Sequence, residues 1–117
     1  MSIRDKILNA KDIKSEVITI DEWDVKIEIR TLTGLERSKL MNNALNIETG
    51  TVDFTKIYPE LAIAASYDPE SGEKIFSEGD RDIINGKSGA ALEKIAQVAM
   101  RLSGMDKGAI KEAEKNS

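Results

Sequence analysis

The spacing of apolar residues along the chain changes once, between residues 30 and 35. Before that point apolar and polar residues alternate strictly over residues 25–30, and a looser alternation covers residues 17–20. A period of two is typical of a strand with one buried face, and residues 21–24 between the two runs favour a turn. The sequence therefore predicts an antiparallel β-hairpin over residues 16–31. Its inward side chains are expected to be Ile18, Ile20, Val25, Ile27 and Ile29.

A capping box marks the first predicted helix. Thr33 and Glu36 stand three residues apart, the spacing at which the two side chains satisfy the first free backbone N–H groups of a helix. Gly50 predicts the end of this helix, since glycine often follows the last helical turn. Its apolar face is expected to consist of Leu40, Met41, Ala44, Leu45 and Ile47.

A second helix is predicted over about residues 56–67. Pro59 has no backbone N–H to donate, so the regular part of the helix is expected to begin near Tyr58. Its inward side chains are expected to be Leu61, Ala64 and Ala65.

The following segment is rich in turn formers. Residues 68–72 predict a tight surface turn that leads into a short extended piece over residues 73–76. Ser77 is predicted to cap a short helix, and Ser88 to cap the longest helix, over residues 88–103.

These elements together predict the α+β class, with an N-terminal antiparallel β-hairpin packed against a cluster of helices. We expect a single domain over residues 1–117. Residues 1–15 are expected to form an N-terminal arm or short helix, residues 33–104 the helical part, and residues 105–117 a polar tail or frayed helix.

The candidate partner-binding residues are aromatic and apolar. Trp23, the only tryptophan, lies at the predicted hairpin turn, where it could anchor a partner or, as the favoured interpretation, pack against the adjacent helix. The longest helix carries an apolar stripe that fits either core packing, which the pattern favours, or a seam for a helix of another chain. The stripe consists of Leu92, Ile95, Ala99 and Leu102.

The composition removes many classes of chemistry. The 117 residues include no cysteine and no histidine, which excludes thiolate nucleophiles, imidazole-based catalytic triads and cysteine- or histidine-ligated zinc. The 17 basic and 21 acidic side chains are interleaved and give a net charge of -4, which argues against a nucleic-acid surface. No apolar run approaches the roughly 18 residues that span a bilayer, and the N-terminus is too charged for a signal peptide. We therefore expect a cytoplasmic protein that is not an enzyme and binds no cofactor, metal, nucleic acid or membrane.

Two patterns suggest ligand sites but fail on spacing. The acidic residues 68–78 invite a calcium loop, yet the sixth position counted from Asp68 is Glu73, where an EF-hand requires glycine. Residues 85–88 match only the end of a phosphate-binding loop. A solvated turn and ordinary helix ends are the favoured interpretations, and carboxylate catalysis in the acidic segment is the least favoured alternative.

Four stretches of the sequence resemble the tail assembly chaperones of long-tailed bacteriophages and prophages. They cover about residues 16–117. The stretches are the hairpin of residues 17–30 with its central Glu22-Trp23 running into residues 31–37, the alanine-rich residues 62–68, the acidic turn and extended piece of residues 68–77, and residues 87–92, which open a helix closing at residues 101–105.

This resemblance implies a non-enzymatic chaperone in the host bacterial cytoplasm. Such a protein is encoded just before the tape measure protein and keeps that long helical protein soluble until tail tube subunits polymerise around it. The implied partner is the tape measure protein, with the tail tube protein as a second candidate, and self-association is left open. The alternative is a small structural or connector component that stays in the assembled phage particle.

The resemblance also raises a hypothesis about the reading frame. Many members of that family are made in two lengths, because ribosomes slip near the end of the shorter frame. Glu114-Lys115-Asn116 can be encoded by GAA AAA AAC, which contains a slippery A AAA AAC heptamer. We expect an overlapping minus-one frame that extends the chain, with coincidence as the alternative, and the nucleotide sequence decides between them.

Overall fold

The structure, a computed structural model, describes residues 2–46 and 48–105. Its elements confirm the predicted α+β class with an N-terminal hairpin. Ile47 and nearly all of the predicted polar tail lie outside the described residues. In chain order the elements are α1 (Ile3–Leu8), β1 (Ser15–Ile20), β2 (Val25–Arg30), α2 (Gly34–Ala44), β3 (Leu45–Asn46), β4 (Thr51–Val52), α3 (Phe54–Ala65), β5 (Ser66–Tyr67), α4 (Arg81–Asn85) and α5 (Gly89–Leu102), with 3-10 turns at Asp21–Trp23 and Glu78–Asp80.

The hairpin supplies two strands of a three-stranded antiparallel sheet, with β2 at the centre. β1 pairs with β2 from Ser15 opposite Arg30 to Ile20 opposite Val25, and β5 adds to the free side of β2. Asp24 adopts a left-handed conformation (φ 51°) that closes the hairpin turn, a conformation that aspartate tolerates better than most residues. β1 is therefore an edge strand of this sheet.

One face of the sheet carries the main core. Four of the five predicted inward side chains, Ile18, Ile20, Ile27 and Ile29, are buried beneath α3 and α5. The prediction for Val25 is wrong, because its side chain is 44 % exposed. Val25 directly follows the hairpin turn, and its partner across the hairpin, Ile20, is fully buried, so this last pair is covered on the β1 side only.

α2 begins as predicted and ends earlier. The Glu36 carboxylate accepts a hydrogen bond from the Thr33 backbone N–H (2.9 Å), and the Thr33 hydroxyl accepts one from Glu36 N–H (3.2 Å), which confirms the capping box. The helix stops at Ala44 instead of continuing towards Gly50, because the next residues form a small ribbon of β3 and β4. Leu40 and Ala44 are buried as predicted, whereas Met41 is exposed.

α3 starts before its predicted regular part. The Asp53 side chain accepts a hydrogen bond from Thr55 N–H (3.1 Å) and caps a helix that begins at Phe54, with Pro59 inside it. The expected start near Tyr58 is wrong because this cap supports the first turn ahead of the proline. Leu61 and Ala65 are fully buried, and Ala64 is half-buried.

A second, smaller cluster joins α3, α4 and α5. It contains Ala62, Ile63, Ile84 and Leu92, with Trp23, Tyr58 and Phe76 packed against it. Ser88 caps α5 as predicted, since its hydroxyl accepts from Ala91 N–H (3.4 Å). Ser77 forms a capping box with Asp80, but it caps the 3-10 turn at Glu78–Asp80 instead of the predicted helix, because α4 begins only at Arg81.

Candidate partner-binding surface

The structure places the predicted apolar stripe of α5 in the interior. Leu92, Ile95 and Ala99 are at most 4 % exposed, and Leu102 is half-buried. The stripe covers the inner face of the hairpin and packs along α3. These side chains are therefore core residues, and the folded chain does not present them to a partner.

Trp23 links the two clusters of the interior. Its half-buried ring packs against the main core under the sheet and against the smaller cluster between α3, α4 and α5. This placement supports packing, the interpretation that the sequence favoured for Trp23.

The exposed apolar surface lies elsewhere, first of all on α1. This helix buries no residue, and Ile3, Ile7 and Leu8 are 76, 66 and 64 % exposed. Ile13, between α1 and β1, is also exposed. The sequence shows helical spacing here but gives no signal of what covers the face. We call residues 2–14 the N-terminal arm.

A second exposed feature is an open groove beside α3, with a volume of about 490 Å³. Its floor is apolar and consists of buried Ile63 and half-buried Phe76, and Ile75, which is 40 % exposed, lies at its edge. Its rim is charged. The groove is lined by Ile63, Lys74, Ile75, Phe76, Ser77, Glu78 and Asp80, and we call it the acidic groove.

A tight turn brings one wall of the acidic groove into place. The Asp68 carboxylate accepts a hydrogen bond from Glu70 N–H (2.8 Å), and Gly72 turns the chain back with a φ of +75°, which glycine adopts without strain. Lys74 then lies opposite Tyr67, and Ile75 N–H donates to the carbonyl of Ser66 (3.1 Å). The groove wall is thus an extension of the sheet.

A buried carboxylate anchors the other wall. The side chain of Glu60 on α3 is 7 % exposed, accepts a hydrogen bond from Asn43 Nδ2 (3.0 Å) and pairs with Arg81. Arg81 also pairs with Glu78 on the groove rim. The hydrogen bond to Glu60, and after it the one to Glu78, raises the pKa of Arg81, and the hydrogen bond from Arg81 lowers the pKa of Glu78. This network ties the rim to the centre of the molecule.

The arm and the groove segment carry opposite charge. Residues 66–86 contain six acidic and two basic side chains, a net charge of -4. Residues 2–14 contain four basic and two acidic side chains, a net charge of +2. The basic side chains of the arm are Arg4, Lys6, Lys11 and Lys14.

The described part of the chain has neither a cluster of metal ligands nor a membrane-spanning helix. Within residues 2–46 and 48–105, no group of three or more acidic side chains is arranged to hold a metal ion. In the same part of the chain, no helix is both long and apolar enough to cross a membrane.

The comparisons with known proteins rest on the fold. No protein-family model and no curated protein sequence matches this chain. Among solved structures, the tail assembly chaperone of bacteriophage HK97 is similar, with a TM-score of 0.58 and 14 % sequence identity over 85 % of this chain and 95 % of that chain. The chain therefore shares its fold with a phage tail assembly chaperone.

Proposed function

We propose that this protein is a non-enzymatic tail assembly chaperone of a long-tailed phage or prophage, acting in the bacterial cytoplasm. It binds the tape measure protein and keeps it soluble during tail assembly. The single observation that carries the proposal is the fold shared with the HK97 tail assembly chaperone over nearly the whole length of that protein. The sequence resemblance over residues 16–117 points to the same family.

The acidic groove is the surface that we assign to the partner. A long helical protein exposes repeated apolar faces, and a groove with an apolar floor can cover one face at a time. Ile63 and Phe76 supply the floor, and Ile75 is the exposed side chain at its edge. The groove is small, so each contact is modest and tail tube subunits can displace the chaperone.

A matched pair of variants tests this assignment during co-expression with the tape measure protein of the same genome. Ile75→Asp places a charge in the groove, and Leu35→Asp places the same charge on α2 at a side chain that is 68 % exposed and does not line the groove. We expect the unaltered chain and Leu35→Asp to co-purify with the tape measure protein and Ile75→Asp to lose it. Equal co-purification of all three chains would show that the binding site lies outside the groove. Failure of all three chains to co-purify with the tape measure protein would contradict chaperoning.

The second candidate function is a connector component that stays in the particle. The fold alone fits it equally well, and the two differ in where the protein ends up. Mass spectrometry of purified phage particles separates them, because a chaperone is absent from the finished tail and a connector is present at a fixed number of copies.

A further inference from the structure

The exposed arm and the acidic groove are complementary in two independent respects. The arm has an apolar helical face made of Ile3, Ile7 and Leu8 and a net charge of +2. The groove has an apolar floor, and the segment around it has a net charge of -4. A short amphipathic helix of basic character is the kind of ligand that such a groove accepts.

The arm is long enough to reach the groove of its own chain. Lys14 is held beside the sheet, since its carbonyl accepts from Thr31 N–H (2.9 Å) and its N–H donates to the Thr31 hydroxyl (2.9 Å). The groove wall lies three strand spacings away, across β2 and β5, and Ile75 on that wall stands two residues further along the strands than Lys14, which together is about 16 Å. Residues 9–13 span up to about 17 Å when extended, so α1 can be delivered to the groove.

We propose that the N-terminal arm is a strap that closes over the acidic groove of its own chain, with the apolar face of α1 on the groove floor and the basic side chains of the arm against its acidic rim. Tethering favours this closure over exchange between two chains, because a short linker gives an effective local concentration in the millimolar range. The strap covers the groove when no partner is bound, and a longer helix that makes more contacts displaces it. Closure itself does not depend on the proposed chaperone function.

Closure of the strap can be tested without any partner, by measuring how a nitroxide spin label broadens the amide peaks in NMR spectra. The chain has no cysteine, so Ala10→Cys provides a unique site, next to α1, for a nitroxide label. We expect the amides of residues 74–80 to lose most of their peak intensity in the labelled chain. The loss should shrink at high salt, because charge pairing at the surface is screened.

Two controls make the outcome decisive. The double variant Ile7→Asp, Leu8→Asp keeps the label and the fold, since neither side chain is buried, and should restore the peaks of residues 74–80. Equal broadening with and without these substitutions, or no broadening at all, would overturn the proposal. Mixing labelled chains with isotope-enriched unlabelled chains should leave the peaks unchanged, and broadening there would show exchange between chains and overturn closure within one chain.

Discussion

α1 and α5 carry the same local signals for a helix, but only α5 is buried in the core. Each begins with a serine whose hydroxyl accepts a hydrogen bond from the backbone three residues on: Asp5 N–H for Ser2 (3.1 Å) and Ala91 N–H for Ser88 (3.4 Å). Each carries apolar residues at helical spacing. α5 buries five side chains in the two clusters of the interior, whereas α1 buries none. Spacing and capping thus specify a helix, and an opposing apolar face, here the hairpin, decides whether it becomes core.

The largest expected contrast comes from truncating one leucine in each helix. Leu92→Ala should lower the free energy of unfolding by about 2–5 kcal/mol, because it opens a cavity between α3, α4 and α5. Leu8→Ala should change it by less than about 0.5 kcal/mol, because that side chain faces solvent. Urea unfolding followed by circular dichroism measures both. Similar losses in the two variants would mean that α1 belongs to the cooperative core as α5 does.

The groove rim should lie between these extremes. Arg81→Ala leaves the buried Glu60 carboxylate with Asn43 as its remaining partner, so we expect a loss of about 1–3 kcal/mol in unfolding free energy. Lys74→Ala is the matched control, because its pair with Glu36 is more exposed and should contribute less than about 1 kcal/mol. Equal losses of unfolding free energy for the two substitutions would contradict the conclusion that the pair of Arg81 with buried Glu60 anchors the rim.

The two capping serines give a closer test of the same contrast. Ser88→Ala should cost about 0.5–2 kcal/mol of global stability, because α5 is part of the cooperative core. Ser2→Ala should shift the urea midpoint far less than Ser88→Ala and mainly speed amide exchange within α1, since that helix contributes no buried side chain to the core. A shift as large as that of Ser88→Ala would show that α1 belongs to the cooperative core.

The smallest expected effect is a change in pH dependence at the rim. The hydrogen bond from Arg81 lowers the pKa of Glu78 below its ordinary value of 4.5, so the unfolded chain binds a proton there more readily than the folded one. The stabilisation from this pair is present above pH 4.5 and is lost as the pH falls through the lowered value. Glu78→Gln should therefore flatten the fall of unfolding free energy below pH 4.5. Parallel curves for the variant and the unaltered chain would exclude this contribution.

The sequence was sufficient to predict an element wherever the residues that form its local signal lie close together in the chain. The alternation of residues 25–30 predicted the hairpin, and the Thr33–Glu36 capping box predicted the start of α2. The same alternation wrongly predicted that Val25 is buried, because alternation does not show that the core covers Ile20 and leaves its partner Val25 exposed. The β3–β4 ribbon was missed because each strand has only two residues.

The candidate site was less predictable because it is assembled from distant residues. Glu60 and Arg81 are separated by 20 positions, and nothing in their spacing predicts that one buried carboxylate holds the groove rim. The stripe of α5 showed the opposite problem. Its spacing favours a core face but also fits a binding face, and burial in the fold assigns Leu92, Ile95 and Ala99 to the core.

We propose that this chain keeps a tape measure protein from aggregating through the acidic groove. Light scattering measures this activity when the tape measure protein is diluted out of denaturant in the presence of purified chain. We expect the unaltered chain and Leu35→Asp to suppress the scattering and folded Ile75→Asp to leave it undiminished. Undiminished scattering with the unaltered chain would contradict the claim of chaperoning, and full suppression by Ile75→Asp would contradict the role of the groove.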